Sequence, residues 1–499
     1  KKVNELPICV EKYAEIVEIV KDTNVLNKKY SVIASALVNE LLELVKSKEV
    51  VTPDMFEGIQ FSDEAPAIIE ALSKSKDAFT NADLVTIQDV IDMTKDSKFY
   101  EKERYVNEAA VYPLIDAIEA LTNLQTLEAA MNTVAKVICE LANKKNINLD
   151  YLFRGLTNAQ LLADTKLAVD YARDIVDLGG LEYLTTKDIA EFDVTIVANM
   201  VEGLYDFNIM KLHAPEVMQK LVDLVNKKVP DLRIRTTIES FEAIDYEKEF
   251  ATLAEVVALG SDFMDAEVCH SLNDVLDIVK LKLYAQKGFF NETAFDVMVR
   301  MANKATELQS VEVIMPDLIF YGVKQANARR IDIAFIVDDA YTPALQVEDL
   351  RTLISMVDVA YDFGFIDYVF DREIENVDFA ILNNVLDQAM NLHVLDLFLA
   401  NFLALGYNKA FKEAKMDIVV SKYEFADVVL ADEIQVLKDI VLEMNAFMDV
   451  KKYTSLSQLT NAIANKDYKY EAFYDVETGE VLANVVSKVV DLESVAVVL

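Results

Sequence analysis

The sequence predicts an all-α protein made of tandem helical-bundle or solenoid-like repeats, with a period of about 184 residues and two related half-units in each period. Three observations predict this fold class. Glycine and proline number only 11 and 8 in 499 residues, too few for the turns that many short strands need. Apolar residues recur at spacings of three and four, as they do in amphipathic helices. Long segments of the chain also recur at a nearly constant displacement.

The clearest recurrence links residues 106–128 to residues 290–312, which are 184 positions apart and share 7 of 23 residues without a gap. Residues 473–497 carry a third copy of this segment. The stretch between the copies repeats as well, since residues 177–210 overlay residues 362–395 at a displacement of 185. In architecture the pattern is similar to stacked helical-repeat proteins, although its period is several times longer than theirs.

A weaker internal match divides each period into two half-units, which we name X and Y. Residues 252–263 resemble residues 352–363, and this resemblance crosses from one half-unit type to the other. The predicted division is a partial first repeat at 1–58 (the second half of unit X), unit Y at 59–160, unit X at 161–242, unit Y at 243–345, unit X at 346–427 and a partial unit Y at 428–499.

Residues 474–486 are ambiguous when taken alone, because Thr478 and Gly479 could close a β-hairpin. Their aligned counterparts in the earlier copies are helical in periodicity. The repeat therefore predicts a helix here, with the hairpin as the alternative.

Several predicted helices run into a basic end. The segments "ANKKNIN", "VNKKVPD" and "ANARRID" begin at Ala142, Val225 and Ala326. Cations in the last turn complement the negative end of the helix dipole, and asparagine tolerates the left-handed backbone that ends many helices. We interpret these segments as helix stops and not as a basic binding patch.

The helix predicted at residues 349–363 has an apolar face, with Asp349 placed mostly away from it. The same apolar phase recurs in both half-units and predicts a set of core positions. The residues expected to be buried are Leu353, Val357, Val385, Leu386 and their repeat partners Leu253, Val257, Val275 and Leu276.

The net charge of −37 limits the partners of this chain. A strongly acidic surface repels phosphate backbones and anionic lipid, so we expect no nucleic-acid partner and no membrane insertion. The three cysteines, Cys9, Cys139 and Cys269, are far apart, which predicts neither a disulfide framework nor a zinc cluster.

No sequence motif for catalysis or cofactor binding is present. The three histidines, His213, His270 and His393, do not share one repeat phase, and we predict neither a catalytic residue nor a cofactor site. Weak binding of divalent cations is the remaining alternative, because carboxylates suit calcium. Its weak candidates are Asp362, Asp367 and Asp371, which surround a predicted helix junction without forming an EF-hand loop.

The two ends of the chain are out of phase with the repeat, and the last residues are apolar. We expect this C-terminal face to be covered by further polypeptide or by another copy in a head-to-tail assembly. The residues predicted to mediate self-association are Val495, Val497, Val498 and Leu499.

Two functions fit these features. The first is a non-enzymatic structural protein, a cell-surface or extracellular stalk or filament component that associates with copies of itself or with neighbouring repeats of a longer chain. The alternative is a helical-repeat scaffold that binds a protein or peptide partner. The sequence leaves a cytoplasmic location open.

Overall fold

A computed structural model of the chain describes residues 7–95, 98, 102, 104–375 and 377–499. Within these residues the protein is all-helical, with 74% of residues in helix and no strand. The predicted fold class is confirmed to this extent. In the described part of the chain, extended backbone pairs in isolated bridges, such as the one between Glu375 and Ser455.

The α-helices of the described residues are α1 (Val10–Val20), α2 (Asn24–Leu44), α3 (Phe61–Asn81), α4 (Ile87–Lys95), α5 (Glu108–Leu121), α6 (Gln125–Asn143), α7 (Asn158–Asp177), α8 (Gly180–Thr186), α9 (Val194–Gly203), α10 (Asn208–Lys228), α11 (Tyr246–Glu267), α12 (Leu272–Lys280), α13 (Glu292–Ala305), α14 (Gln309–Ala328), α15 (Pro343–Asp362), α16 (Phe365–Asp371), α17 (Phe379–Ala389), α18 (His393–Glu413), α19 (Leu430–Lys451), α20 (Leu456–Ala464), α21 (Val476–Asp491) and α22 (Glu493–Val498).

The chain divides into two compact units. The first comprises Lys1–Met218 and Tyr246–Asp277, and the second comprises Gln219–Asp245 and Ile278–Leu499. In the first unit α3 packs against α1 and α5, while α7 packs against α5, α6 and α9. Phe56 lies in a 3-10 turn after α2 and is fully buried in a cluster with Tyr30.

The second unit is organised around α15 and α19. Helix α15 packs against α13, α14 and α17, and α19 packs against α17 and α21. The 3-10 turn Lys422–Phe425 follows α18 and buries Phe425 against Ala404 and Val420. Each of these two turns follows a long helix and buries one aromatic ring.

The predicted helix stops are confirmed. Helices α6, α10 and α14 end within or just before the three basic segments. The left-handed residue is Asn146 after α6, as expected for asparagine. After α14, however, Arg330 takes that conformation and Asn327 stays in the helix. The helix predicted at residues 474–486 is also confirmed, since Asp475 caps α21 by accepting a hydrogen bond from the backbone N–H of Thr478.

The predicted core positions are wrong in detail. None of the eight residues is fully buried, and Leu353, Val357 and Leu276 are exposed. The buried residues of α15 are instead Gln346, Val347 and Asp349. The prediction assumed that the acidic side chain pointed to solvent, and this assumption rotated the inferred apolar face away from the observed one.

Among the described residues no single helix is long and apolar enough to span a membrane. Helices α17 and α18 meet the length and composition criteria only when taken together, across a bend of 101°.

Candidate functional site

The most highly organised polar site surrounds Asp349 in the second unit. Helix α15 begins with Thr342 as its cap and Pro343 in its first turn, which places Asp349 two turns into the helix. The Asp349 side chain is 1% exposed. Its Oδ1 accepts a 2.8 Å bond from the backbone N–H of His393, and its Oδ2 accepts a 2.8 Å bond from that of Val394. A buried carboxylate thus caps the start of α18.

Two side chains complete the hydrogen bonding of Asp349. Tyr341 donates its hydroxyl to Oδ2 at 2.8 Å, and His393 Nδ1 lies 2.9 Å from Oδ1. An ionised carboxylate only accepts, so this contact is a hydrogen bond to the carboxylate in the tautomer that carries the hydrogen on Nδ1. Burial, followed by the bond to Asp349, raises the pKa of Tyr341. Four donors compensate the charge that burial would otherwise make unfavourable.

Asp164 caps a helix in the first unit in the same way. Its Oδ1 accepts bonds from the backbone N–H and the side-chain amide of Asn208, at 2.7 and 2.8 Å. Its Oδ2 accepts a 2.9 Å bond from the backbone N–H of Ile209. Asn208 is the first residue of α10, so this carboxylate also faces the positive end of a helix dipole.

Two buried glutamates also accept hydrogen bonds at the starts of other helices. Glu64 of α3 accepts backbone bonds from Gln125 and Thr126, at 2.9 and 3.2 Å, and so caps α6. Glu433 of α19 accepts a 3.0 Å bond from the backbone N–H of Ser494 and a 2.5 Å bond from its hydroxyl, at the start of α22. These four acids therefore hold helix starts, and a fifth, Glu249 of α11, is buried as well. The sequence analysis treated acidic residues as surface charge and missed this role.

The weak cation candidates lie together near α16. Lys287 Nζ is 2.6 Å from Asp367 Oδ1 and 2.5 Å from Asp371 Oδ2. These hydrogen bonds raise the pKa of Lys287. The third candidate, Asp362, is the exposed last residue of α15. The pair Asp367 and Asp371 thus binds an ammonium group, and the described residues contain no cluster of three or more His, Cys, Asp or Glu suited to a metal ion.

Histidine and cysteine are common catalytic bases and nucleophiles, but His213, Cys139 and Cys269 are packed within the fold. His213 is buried, and its Nε2 lies 2.8 Å from the carbonyl oxygen of Arg154. Burial raises the pKa of the Cys139 thiol to about 11 and also raises the pKa of Cys269. Both thiols are therefore protonated at neutral pH, which makes them poor nucleophiles.

The residues predicted to self-associate belong to α22 and its end. Val497 and Leu499 are exposed. Val498 packs against the cluster around Phe425, and Val495 is half-buried. Only two of the four side chains therefore face solvent.

An apolar groove lies between α19, α20 and α21, and we name it the α19–α21 groove. It encloses about 810 Å³. Its lining residues are almost all apolar: Met444, Phe447, Leu459, Ala462, Ile463, Tyr468, Phe473, Tyr474, Leu482, Ala483, Val486 and Ser487. Sequence reasoning did not identify it, although Leu482, Ala483 and Val486 of α21 were visible in the sequence.

Comparison of the chain with protein-family models, curated proteins and solved structures finds no match.

Proposed function

We propose that this chain is a non-enzymatic structural repeat protein whose copies associate, with a period of about 184 residues that contains two related half-units. The observation that carries the proposal is the recurrence of one hydrogen-bonding arrangement. Asp164 and Asp349 are 185 positions apart. Each accepts a backbone N–H from a residue 44 positions further along, Asn208 and His393 respectively.

The bounds of the surrounding helices support the same period. Helices α7 and α15 both contain 20 residues. Each is followed by a seven-residue helix, α8 or α16, which lies between two left-handed residues. These are Gly179 and Lys187 around α8, and Gly364 and Arg372 around α16. Such conformations are costly for residues other than glycine, so their recurrence at Lys187 and Arg372, 185 positions apart, supports the repeat.

The other half-unit supports a third copy. Asn107, Asn291 and Asp475 cap α5, α13 and α21 and are spaced at 184 residues. In each case the cap side chain accepts a bond from the backbone N–H three residues later. An Asn or Asp at such a position satisfies a donor that the helix itself leaves unpaired.

The relation between the two half-units is supported by their buried acids. Glu64 and Glu433 belong to one half-unit, and Asp164 and Asp349 belong to the other. All four lie near the start of a long helix and accept backbone N–H groups from another helix start. The partner is 61 positions away for the glutamates and 44 for the aspartates. We infer one ancestral arrangement with two connection lengths.

A structural role also accounts for the polar side chains. Four of the five buried carboxylates are used as helix caps. His213 and His393 are hydrogen-bonded within the fold, and burial keeps Cys139 a thiol. We propose no reaction and no cofactor for this chain. The acidic composition keeps a repetitive molecule soluble, and together with the scarcity of cysteine it favours a cell-surface or extracellular stalk or filament.

The alternative function, a scaffold for a protein or peptide partner, is favoured by one observation. The α19–α21 groove is an apolar surface of the kind that binds a helix.

Imaging and light scattering of the purified full chain test the proposal. Rods or fibres in negative stain, with a mass that increases with protein concentration, are the expected result. A monodisperse monomer at high concentration would contradict self-association. A compact, curved monomer would favour the scaffold function in its place.

A further inference from the structure

A cluster of exposed cations lies where the ends of α10 and α14 meet in the second unit. Residues 227–235 and 320–330 contain seven basic residues and one acidic residue, although the whole chain has 48 basic and 85 acidic residues. The chain after α10 runs along α14 in the opposite direction, because Asp231 pairs with Lys324 and the backbone N–H of Arg235 donates to Asp317. The end of α10 therefore lies toward the end of α14.

Five of these cations are exposed, and within the described residues their side chains form no ion pair or hydrogen bond. The acids that border them have other partners: Asp223 pairs with Lys220, Asp231 pairs with Lys324, Asp317 accepts the backbone N–H of Arg235, and Asp332 accepts that of Ala334. We name the five cations the basic patch: Lys227, Lys228, Arg233, Arg329 and Arg330.

The first unit shows that this charge is not needed to end the helices. The corresponding residues, 43–51 and 136–146, contain five basic residues and three acidic ones. The two segments meet there as well, since Glu49 pairs with Lys136 at 3.2 Å. Glu49 stands at the position of Arg233. The same arrangement thus forms with a more balanced charge, and the interpretation of the basic ends as helix stops alone is incomplete.

An imbalance of the opposite sign occurs on α13 and α15 of the same unit. Asp296, Asp358 and Asp362 are exposed, and we name them the acidic face. Partial burial, followed by the charges of Asp296 and Asp362, raises the pKa of Asp358. Arg300 bonds to Asp296 at 3.1 Å, but Asp358 and Asp362 form no ion pair with any described residue. The three carboxylates therefore lie close enough to repel one another.

The first unit has a cation at this place. Arg173 stands at the position of Asp358, 185 residues earlier. It pairs with three carboxylates, those of Asp116, Glu119 and Asp170. The second unit therefore lacks a cation at its acidic face, just as it lacks acids at its basic patch.

We propose that the basic patch of one copy binds the acidic face of a second copy. Charge complementarity favours this partner, because each surface has the charge that the other lacks. The net charge of −37 repels copies at a distance, but salt screens this repulsion beyond about 8 Å at physiological ionic strength, so the charges at the contact decide. The contact joins two different surfaces, so it is heterologous and can continue from copy to copy. The inference rests on the proposed self-association and names its interface, in place of the apolar C-terminal residues.

The first test reverses charges in the basic patch. Arg329→Glu combined with Arg330→Glu should weaken association at least about tenfold in sedimentation velocity, because close charge pairs between the copies are lost. Lys144→Glu combined with Lys145→Glu is the matched control, since these lysines follow α6 directly, as the two arginines follow α14. The control should leave association unchanged. Circular dichroism checks that both variants keep their helicity.

The second test reverses charges on the acidic face. Asp358→Lys combined with Asp362→Lys should weaken association to a similar extent. These substitutions also make the chain less negative, so an association limited only by general repulsion between copies would become stronger. That result would overturn the inference.

Exchanging the charges tests whether the two surfaces are partners. A chain that carries both pairs of substitutions should associate again, because the two surfaces are again opposite in sign. An equimolar mixture of the two double variants should also associate, with the reversed patch of one bound to the reversed face of the other. If neither restores association, the basic patch and the acidic face do not bind each other.

Ionic strength separates a charged contact from an apolar one. Raising it from about 0.15 to 1 M shortens the screening length from about 8 to 3 Å, so wild-type association should weaken. Association that is unchanged or stronger at high salt would overturn the inference but not the proposed function. A wild-type chain that is monomeric at every concentration and ionic strength would contradict the proposed function itself.

A polyanion is the competing partner for the basic patch. Wild type is therefore titrated with a short DNA oligonucleotide, and we expect no binding because the chain is so acidic. Binding that Arg329→Glu with Arg330→Glu abolishes, together with self-association that the same variant leaves unchanged, would show that the patch binds a polyanion and not a second copy.

Discussion

Asp349 and the pair Asp367 and Asp371 lie in the same unit, but their surroundings differ in two respects. Asp349 is 1% exposed and accepts hydrogen bonds from four donors. Asp367 and Asp371 are about half exposed, at 50% and 54%, and share the single ammonium of Lys287. Water surrounds the pair, whereas the protein alone solvates Asp349. The comparison shows that the acidic residues of this chain fall into two kinds with different energetic roles.

Removing Asp349 and removing Asp367 differ in whether water can take the place of the lost carboxylate as a hydrogen-bond acceptor. Without Asp349, two backbone N–H groups at the start of α18 and the buried hydroxyl of Tyr341 lose their acceptor where water is scarce. The ring of His393 also loses an acceptor, but it is 40% exposed and can bond to water. Without Asp367, Lys287 keeps Asp371 and gains water. Unsatisfied buried donors are costly, whereas exposed ion pairs contribute little.

The largest expected effect is that of Asp349→Ala. We expect the second unit to lose about 3 to 5 kcal/mol of unfolding free energy, because four hydrogen bonds to a charged group are removed together. Urea unfolding followed by circular dichroism measures the loss. Asp362→Ala is the matched control, since it removes an exposed acid from the last position of the same helix and should cost less than about 0.5 kcal/mol. Equal losses in the two variants would show that Asp349 is not a structural cap.

A smaller effect is expected when one donor is removed. Tyr341→Phe deletes the 2.8 Å bond to Asp349 and should cost about 1 to 2 kcal/mol. Tyr30→Phe deletes two longer contacts, the 3.4 Å bond to Glu64 and the 3.3 Å bond accepted from Thr126, and should cost clearly less. If the two substitutions cost the same in urea unfolding, then burial of the ring, and not the hydrogen bond, determines the contribution.

The difference between buried and exposed carboxylates also explains which parts of the fold could be predicted from the sequence. Helix periodicity and scarce glycine predicted the fold class, and the aligned copies correctly predicted α21 as a helix. The core positions failed because Asp349 was placed on the solvent side. Periodicity treats a charged residue as exposed, whereas its burial depends on donors from His393 and Val394, which are distant in sequence. The recurrence of an aspartate at the same repeat position, Asp164 and Asp349, was the sequence signal that could have indicated a buried acid.

The groove was missed for a related reason. Whether an apolar face is core or surface depends on what covers it, and the sequence of α21 does not state this. Thr306 and Val490, which are 184 positions apart, illustrate the point, because the more polar residue is the buried one. The partner Arg351 decides the outcome at Thr306.

We expect high pH to lower the unfolding free energy through the buried hydroxyl of Tyr30, which is bonded to Glu64. Burial raises the pKa of Tyr30 to about 12, above the value of about 10 in an unfolded chain. Between these values the unfolded state loses this proton first, so the unfolding free energy falls as pH rises. Urea unfolding at pH 9 and pH 11.5 should show a smaller decrease in Tyr30→Phe than in wild type. An unchanged decrease would mean that Tyr30 ionises freely in the folded protein.

The smallest effect is expected at the exposed pair. Replacing both Asp367 and Asp371 with Asn should change the unfolding free energy by less than about 1 kcal/mol, because exposed ion pairs are weak and screened by salt. The same variant tests the calcium alternative. In wild type the ammonium of Lys287 occupies the space between the two carboxylates, so a calcium ion would have to displace it, and we expect a calorimetric titration to show no stoichiometric binding. Lys287→Met is the informative control, since it leaves both carboxylates without their cation. Calcium binding by wild type that the double Asn variant abolishes would show that the lysine does not block the site, and the distinction between buried caps and a merely ion-paired surface cluster would then fail.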